Sequence, residues 1–320
     1  MTPIFVHSSF RVSSTWFWTR LRELDGVRAY YECLHERLAS VDAAGIDAFN
    51  VDCWDSGHPR TGPYFAEFLP LIAPGGTGIV GYDATMAFLD YLPAAGLAGE
   101  LPMDQRAYLQ GLIEAASVRA ERAVLTFGRS LGRVGAMRRA LGGGHVLLVR
   151  DLGPQWASYR RLGSDGVWYF LNATLQVIAN GSAEDAFLAE LKQRHTETIA
   201  CRAGLNLLRF TSQQDYFEAM VGMHAYLYRA ALPNCDVVLN VSTMARDPEE
   251  RRKAEARLAE VTGLTPDLSD LVLKETDLPA ERLTLARANE IHDAIKRDLG
   301  SDRAGDELVN AMLQPLVAKG

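Results

Sequence analysis

Residues 2–20 read TPIFVHSSFRVSSTWFWTR, an apolar run that enters a small polar turn and leaves it as an aromatic-rich helical pattern. Residues 3–6 have the continuity of a short buried strand, and Phe17, Leu21 and Leu24 then recur with helical spacing. Between the two lies a segment rich in hydroxyls that carries one cation, Arg11. A helix start presents unpaired backbone N–H groups and the positive end of the peptide dipoles. Ser13, Ser14 and Thr15 beside Arg11 therefore predict a cradle for phosphate or sulfate. The loop has neither glycine nor lysine, and the pattern G-x-x-x-x-G-K-[ST] is absent, which argues against a nucleotide-triphosphate kinase.

The same alternation continues along the chain. Residues 27–32, 123–127, 145–149 and 235–241 are apolar runs of strand length, and helical patterns fill 103–122, 134–141 and 249–261. Near-continuous apolar strands between helices predict an α/β fold, a P-loop-like parallel sheet flanked by helices, as one domain over residues 1–320 with helical insertions. Gly and Pro punctuate residues 39–101 as irregular loops, and 39–122, which includes the helical pattern 103–122, reads as an insertion that shapes the acceptor site. His58 and Arg60 are its candidate acceptor contacts. Residues 262–320 read as a C-terminal helical extension.

Hydrophobic residues make up 48% of the 320, enough for a substantial core, and the net charge of −7 gives no basic footprint for nucleic acid or an anionic membrane. Any anion site must be local. No signal peptide or membrane-spanning segment is visible. Cys33, Cys53, Cys201 and Cys235 are scattered without C-x-x-C spacing, which reads as the reduced cysteines of a cytoplasmic protein and predicts no metal site.

Residues 10–16, FRVSSTW, resemble the 5′-phosphosulfate loop of the sulfotransferases, P-[KR]-S-G-[ST]-[ST]-W. Arg11, Ser14, Thr15 and Trp16 match, and Ser13 stands where the pattern has glycine. Arg150, at the end of the strand pattern 145–149, and Ser158 keep the separation of the family's R-D-P-x-x-x-x-x-S segment, with Leu152 at the proline position. Tyr30, Tyr31 and Glu32 correspond to its aromatic–x–Glu-Pro segment.

The resemblance implies a sulfotransferase-like fold and a bacterial enzyme, closer to the carbohydrate type, that uses 3′-phosphoadenosine 5′-phosphosulfate (PAPS). Arg11, Ser13, Ser14, Thr15 and Trp16 would surround the 5′-phosphosulfate, and Arg150 and Ser158 would hold the 3′-phosphate. Glu32 would be the catalytic base, with His35 as its rival, and Arg11 would stabilise the leaving oxygen. The acceptor would be a hydroxyl of a carbohydrate, a lipid or a small molecule. Arg129 and Arg133 could add charge to the crevice, and Lys274, Arg282 and Arg287 could replace the family's late basic loop. The alternative is a non-catalytic binding protein that keeps the fold and the nucleotide site.

Overall fold

The computed structural model describes residues 1–48, 62–164, 168–201, 212–273 and 280–318. His58, Arg60 and Lys274 lie outside the described residues. Strands β1 (Ile4–His7), β2 (Val27–Tyr30), β3 (Arg122–Phe127), β4 (Gly144–Val149) and β5 (Val237–Asn240) fall on the apolar runs of the sequence. They form one sheet in the order β2-β3-β1-β4-β5, with every pair parallel. Side chains alternate across it: Val146 and Leu148 enter one apolar layer, Leu147 and Val149 the other. Burial on both faces explains why the inner strands β1, β3 and β4 read as apolar runs, while the edge strand β5 leaves Val238 41% exposed.

Helix α1 (Ser14–Arg22) buries Phe17, Trp18 and Leu21 in the first layer, as α2 (Met103–Val118) does with Leu109, Leu112 and Ala116. The short α3 (Val134–Leu141) leads into β4. Helix α4 (Leu152–Ser164) instead buries Leu152, Trp156 and Leu162 in the second layer, together with α5 (Tyr169–Ala179) and α6 (Gln213–Ala231). After β5 the chain returns to the first layer through α7 (Val241–Arg246) and α8 (Pro248–Thr262). Asp247 caps α8 by accepting from the Glu249 N–H, Pro248 opens it, and Gly263 ends it at φ 70°. Helices α9 (Leu285–Leu299) and α10 (Arg303–Leu313) close the second layer.

This order fixes where a ligand belongs. The chain leaving β1 passes beyond β3 to reach β2, whereas the chain leaving β4 runs the other way to β5. Right-handed crossovers in opposite directions put their helices on opposite faces, and α1 and α4 do lie in different layers. The loops at the carboxyl ends of β1 and β4 therefore part from each other, and that gap is the switch point at which open α/β sheets bind ligands.

The chain after β2 does not enter an α-helix at once. Glu32 is left-handed at φ 45°, and a 3₁₀ turn, Glu36–Ala39, follows with the His35 ring nitrogen accepting the Arg37 N–H as a cap. Ile79 pairs only as an isolated antiparallel bridge with Ile72.

Inside the sheet, His7 and His145 are fully buried and stacked with ring centroids 5.2 Å apart. His145 Nε2 lies 3.0 Å from the Gly142 carbonyl, which can only accept, so His145 donates there and its Nδ1 accepts from His7 Nε2 at 2.9 Å. His7 Nδ1 then accepts from Ser130 Oγ at 2.8 Å. Every ring nitrogen is satisfied with both rings neutral. Burial pushes His7 well below its ordinary 6.5, with His145 adding to the shift, and takes His145 and His224 down to about 4.

The sign of the pH dependence follows. Below about pH 6.5 the unfolded chain takes up protons that the folded chain refuses, so stability is full above that pH and falls below it, by up to about 1.4 kcal/mol per pH unit for each histidine. Urea midpoints should be flat above about pH 7 and drop from about pH 6.5 to 5; a profile flat down to pH 5 would contradict the neutral pair.

Candidate functional site

Four non-glycine residues among those described have left-handed backbone: Arg11 at φ 63°, Ser13 at φ 62°, Glu32 at φ 45° and Ala120 at φ 57°. Three of them lie just beyond the carboxyl ends of β1 and β2. Such conformations cost on the order of 1–3 kcal/mol and persist only where the surroundings over-determine them, as functional sites do. Ser13 is also the position at which the phosphosulfate-loop pattern has glycine, the residue that enters this region freely.

At the gap between β1 and β4 the Arg11 Nε donates to Ser158 Oγ at 2.9 Å, and Arg150 Nη1 donates to the Arg11 carbonyl at 2.8 Å. The Arg11 guanidinium also lies over the Phe170 ring, 5.6 Å from its centroid. Arg150 is 9% exposed and its buried Nε has no hydrogen-bond partner. Asp151, next in sequence, pairs instead with Arg246 at 3.0 Å. Burial, and then the charge of Arg11, holds Arg150 below its ordinary pKa against the opposing pull of Asp151. An orphaned guanidinium N–H beside a second arginine is what a phosphate would satisfy.

Ser13 and Ser14 stand at the start of α1, which has no acidic residue in its first turn, and Ser13 makes no side-chain cap. A helix start without a side-chain cap or an acid in its first turn is the kind of position that favours an anion. Thr15 and Trp16 are directed elsewhere. The Thr15 hydroxyl is buried and hydrogen-bonded to the Tyr31 hydroxyl at 2.9 Å, and Trp16 Nε1 donates to Asp270 at 3.0 Å. The structure thus brings Arg11, Ser13, Ser14, Arg150 and Ser158 to one edge, while Thr15 ties that edge to the end of β2.

Glu32 lies past the end of β2, 7% exposed. Its Oε2 accepts from the Arg129 Nη1 at 2.7 Å and from the Gly128 N–H at 3.0 Å. A Cβ at position 128 would sit 2.7 Å from Glu32 Oε1, so a side chain there would push the carboxylate from its place. Arg129 is shared: it also pairs with Glu36 at 3.0 Å, donates to the Tyr169 hydroxyl, and lies over the rings of Phe10, Phe88 and Tyr169. Burial raises the Glu32 pKa, and Arg129 opposes that rise without cancelling it. For Glu36 burial also pushes upward, but Arg129, His35 and the Tyr169 hydroxyl outweigh it and leave the group below its ordinary value. His35 is held down to about 3, by burial first and then by Arg129, so it is neutral with Nδ1 occupied as the cap of the 3₁₀ turn.

The sequence singled out Arg129 as added charge but gave no sign of its bonds to Glu32 and Tyr169, which lie 97 and 40 residues away. Arg133 faces away, donating to Gln105 and to the Met86 carbonyl. Arg282 donates to the Glu281 carbonyl, and Arg287 pairs with Glu218 and Glu290. Among the described residues no group of three or more His, Cys, Asp or Glu could hold a metal ion, and no helix is long and apolar enough to cross a membrane.

Comparison with protein-family models, with curated proteins and with solved structures gives no match. The site is therefore read from its own residues.

The left-handed turn makes a direct forecast. Ser13→Gly should raise unfolding stability by about 0.5–1 kcal/mol, because glycine avoids the Cβ penalty at φ 62°. Ser14→Gly, inside the helix, should lower it by a similar amount. Urea unfolding of both variants checks this, and a destabilised Ser13→Gly protein would contradict it.

Proposed function

We propose that the chain binds 3′-phosphoadenosine 5′-phosphosulfate in the gap between the carboxyl ends of β1 and β4 and transfers its sulfuryl group to a hydroxyl of a carbohydrate, lipid or small-molecule acceptor. The observation that carries this reading is the convergence of Arg11, Arg150 and Ser158, separated by 139 and 147 residues, into one hydrogen-bonded group at the switch point of the sheet. Those are the residues that the resemblance to sulfotransferases selects for the two ends of the donor. The unpartnered Arg150 Nε supplies a donor for the 3′-phosphate, and the uncapped start of α1 at Ser13 and Ser14 supplies the positive end of a helix for the 5′-phosphate.

Transfer is an in-line displacement in which the acceptor oxygen forms a bond to sulfur as the bond from sulfur to the phosphate oxygen breaks. Adenosine 3′,5′-bisphosphate leaves. Positioning and charge stabilisation do most of the work in such reactions. Arg11 stabilises charge gathering on the leaving oxygen. Glu32 accepts the acceptor's proton; among the described residues both hydrogen bonds to its carboxylate fall on Oε2, which assigns the task to Oε1. Its raised pKa makes it a stronger base than an exposed carboxylate while leaving it paired with Arg129.

One observation favours a second reading. The Glu32 carboxylate is gripped by Arg129, itself 2% exposed, as a structural ion pair would be. A non-catalytic protein that binds the nucleotide would need nothing more from Glu32.

Turnover separates the two, using PAPS and an acceptor found by a mass-spectrometric search of cell extract for added sulfate. Glu32→Gln should leave the affinity for adenosine 3′,5′-bisphosphate near wild type and lower turnover by roughly 10²–10⁴-fold, with His35→Asn nearly neutral. Binding without turnover in the wild-type protein would establish the second reading. No binding of PAPS or its product would remove both.

A further inference from the structure

We infer that Gln155 and Tyr228 are positioning residues that hold the loop between β1 and α1 in its anion-binding form; the inference rests on the reading above. The loop reaches left-handed backbone at Arg11 and Ser13 without a glycine, so its own preferences favour other conformations. Something outside the loop must hold it.

Two buried side chains grip the residues just before the first left-handed position. Tyr228, on α6 and 219 residues away, takes the Ser9 N–H at 3.2 Å and bonds the Ser9 hydroxyl at 2.8 Å. Gln155, on α4, forks its amide nitrogen between Ser9 Oγ at 2.8 Å and the Phe10 carbonyl at 2.6 Å. Carbonyl acceptance by Phe10 fixes which end of the Gln155 amide is nitrogen. Both side chains are completely buried and neither lies in the loop itself; Gln155 sits one helical turn before Ser158 on α4, and Tyr228 is on α6. Arg150 adds the third hold by donating to the Arg11 carbonyl. Helices α4 and α6 therefore set the backbone of a loop attached to the opposite layer.

In the sulfotransferase pattern glycine lets the turn form by itself; here the turn depends on a clamp. If the clamp acts on the population of the binding form, removing it lowers the apparent affinity by the fraction of that form lost, and a glycine in the turn restores part of it. A side chain that only supports the core would show no such dependence on residue 13.

The test is a double-mutant cycle of Tyr228→Phe with Ser13→Gly, read by calorimetric titration with adenosine 3′,5′-bisphosphate and by hydrogen exchange of the 8–16 segment. Gln155→Met runs in parallel, in case Tyr228→Phe does not fold. Tyr228→Phe should weaken binding at least tenfold in the wild-type background and less than threefold in the Ser13→Gly background, and should speed exchange in the 8–16 segment more than elsewhere. Equal losses in the two backgrounds, or an unchanged exchange rate in the loop, would overturn the clamp. If the wild-type protein does not bind the nucleotide, the sulfotransferase reading falls, and the exchange rates still decide whether the clamp holds the turn.

Discussion

The backbone between β1 and α1 has to turn through left-handed conformations at two residues that carry side chains, and the carboxyl edge of the sheet is arranged around that turn. Ser8 ties the turn to β3 through the Phe127 carbonyl, and Arg150 ties it to β4. Thr15, the second residue of α1, ties it to Tyr31 beyond β2. Each bond reaches a different strand end, so the geometry of the edge is set jointly by the central strand and its neighbours. The apolar strands supply the rigidity. The stack of Phe5, His7, Phe127 and His145 fixes β1 against β3 and β4 just below the loop.

Charge is distributed at this edge against the trend of the chain. The protein carries a net charge of −7, yet the carboxylate nearest Arg150 in sequence is drawn away by Arg246. A few ångströms of side-chain direction thus decide that Arg150 meets a carbonyl and another guanidinium rather than an acid. At the end of β2 the reverse holds, with one arginine serving two carboxylates. A single cation cannot compensate both fully. Glu32, the more buried of the two, keeps a raised pKa, while the half-exposed Glu36 does not.

The strands and the switch-point residues were legible because they rest on local pattern. Buried parallel strands are continuous apolar runs, and Arg150 with Ser158 is a strand end followed by two turns of helix. The strand order was not legible from periodicity, since nothing in residues 4–7 says that β3 and β4 will flank them. Side-chain direction was equally hidden. Thr15 and Trp16 match the loop pattern by type, but burial turns the Thr15 hydroxyl to Tyr31 and the helix surface turns Trp16 to Asp270, which is 254 residues away. Gln155 and Tyr228 carry no motif at all. Their roles come from packing between helices that meet only in the folded chain.

The central claim is that Arg150, with Ser158, holds the 3′-phosphate of a bisphosphorylated nucleotide whose 5′ end lies on the loop between β1 and α1. Calorimetric titration of wild type and Arg150→Ala with adenosine 3′,5′-bisphosphate and with adenosine 5′-phosphate tests it most directly. Losing a charged hydrogen-bonding partner of the 3′-phosphate should cost about 2 kcal/mol, roughly a thirtyfold loss for the bisphosphate, with a change of less than about threefold for the monophosphate. Equal weakening of the two ligands, or no binding of the bisphosphate to the wild-type protein, would contradict the account.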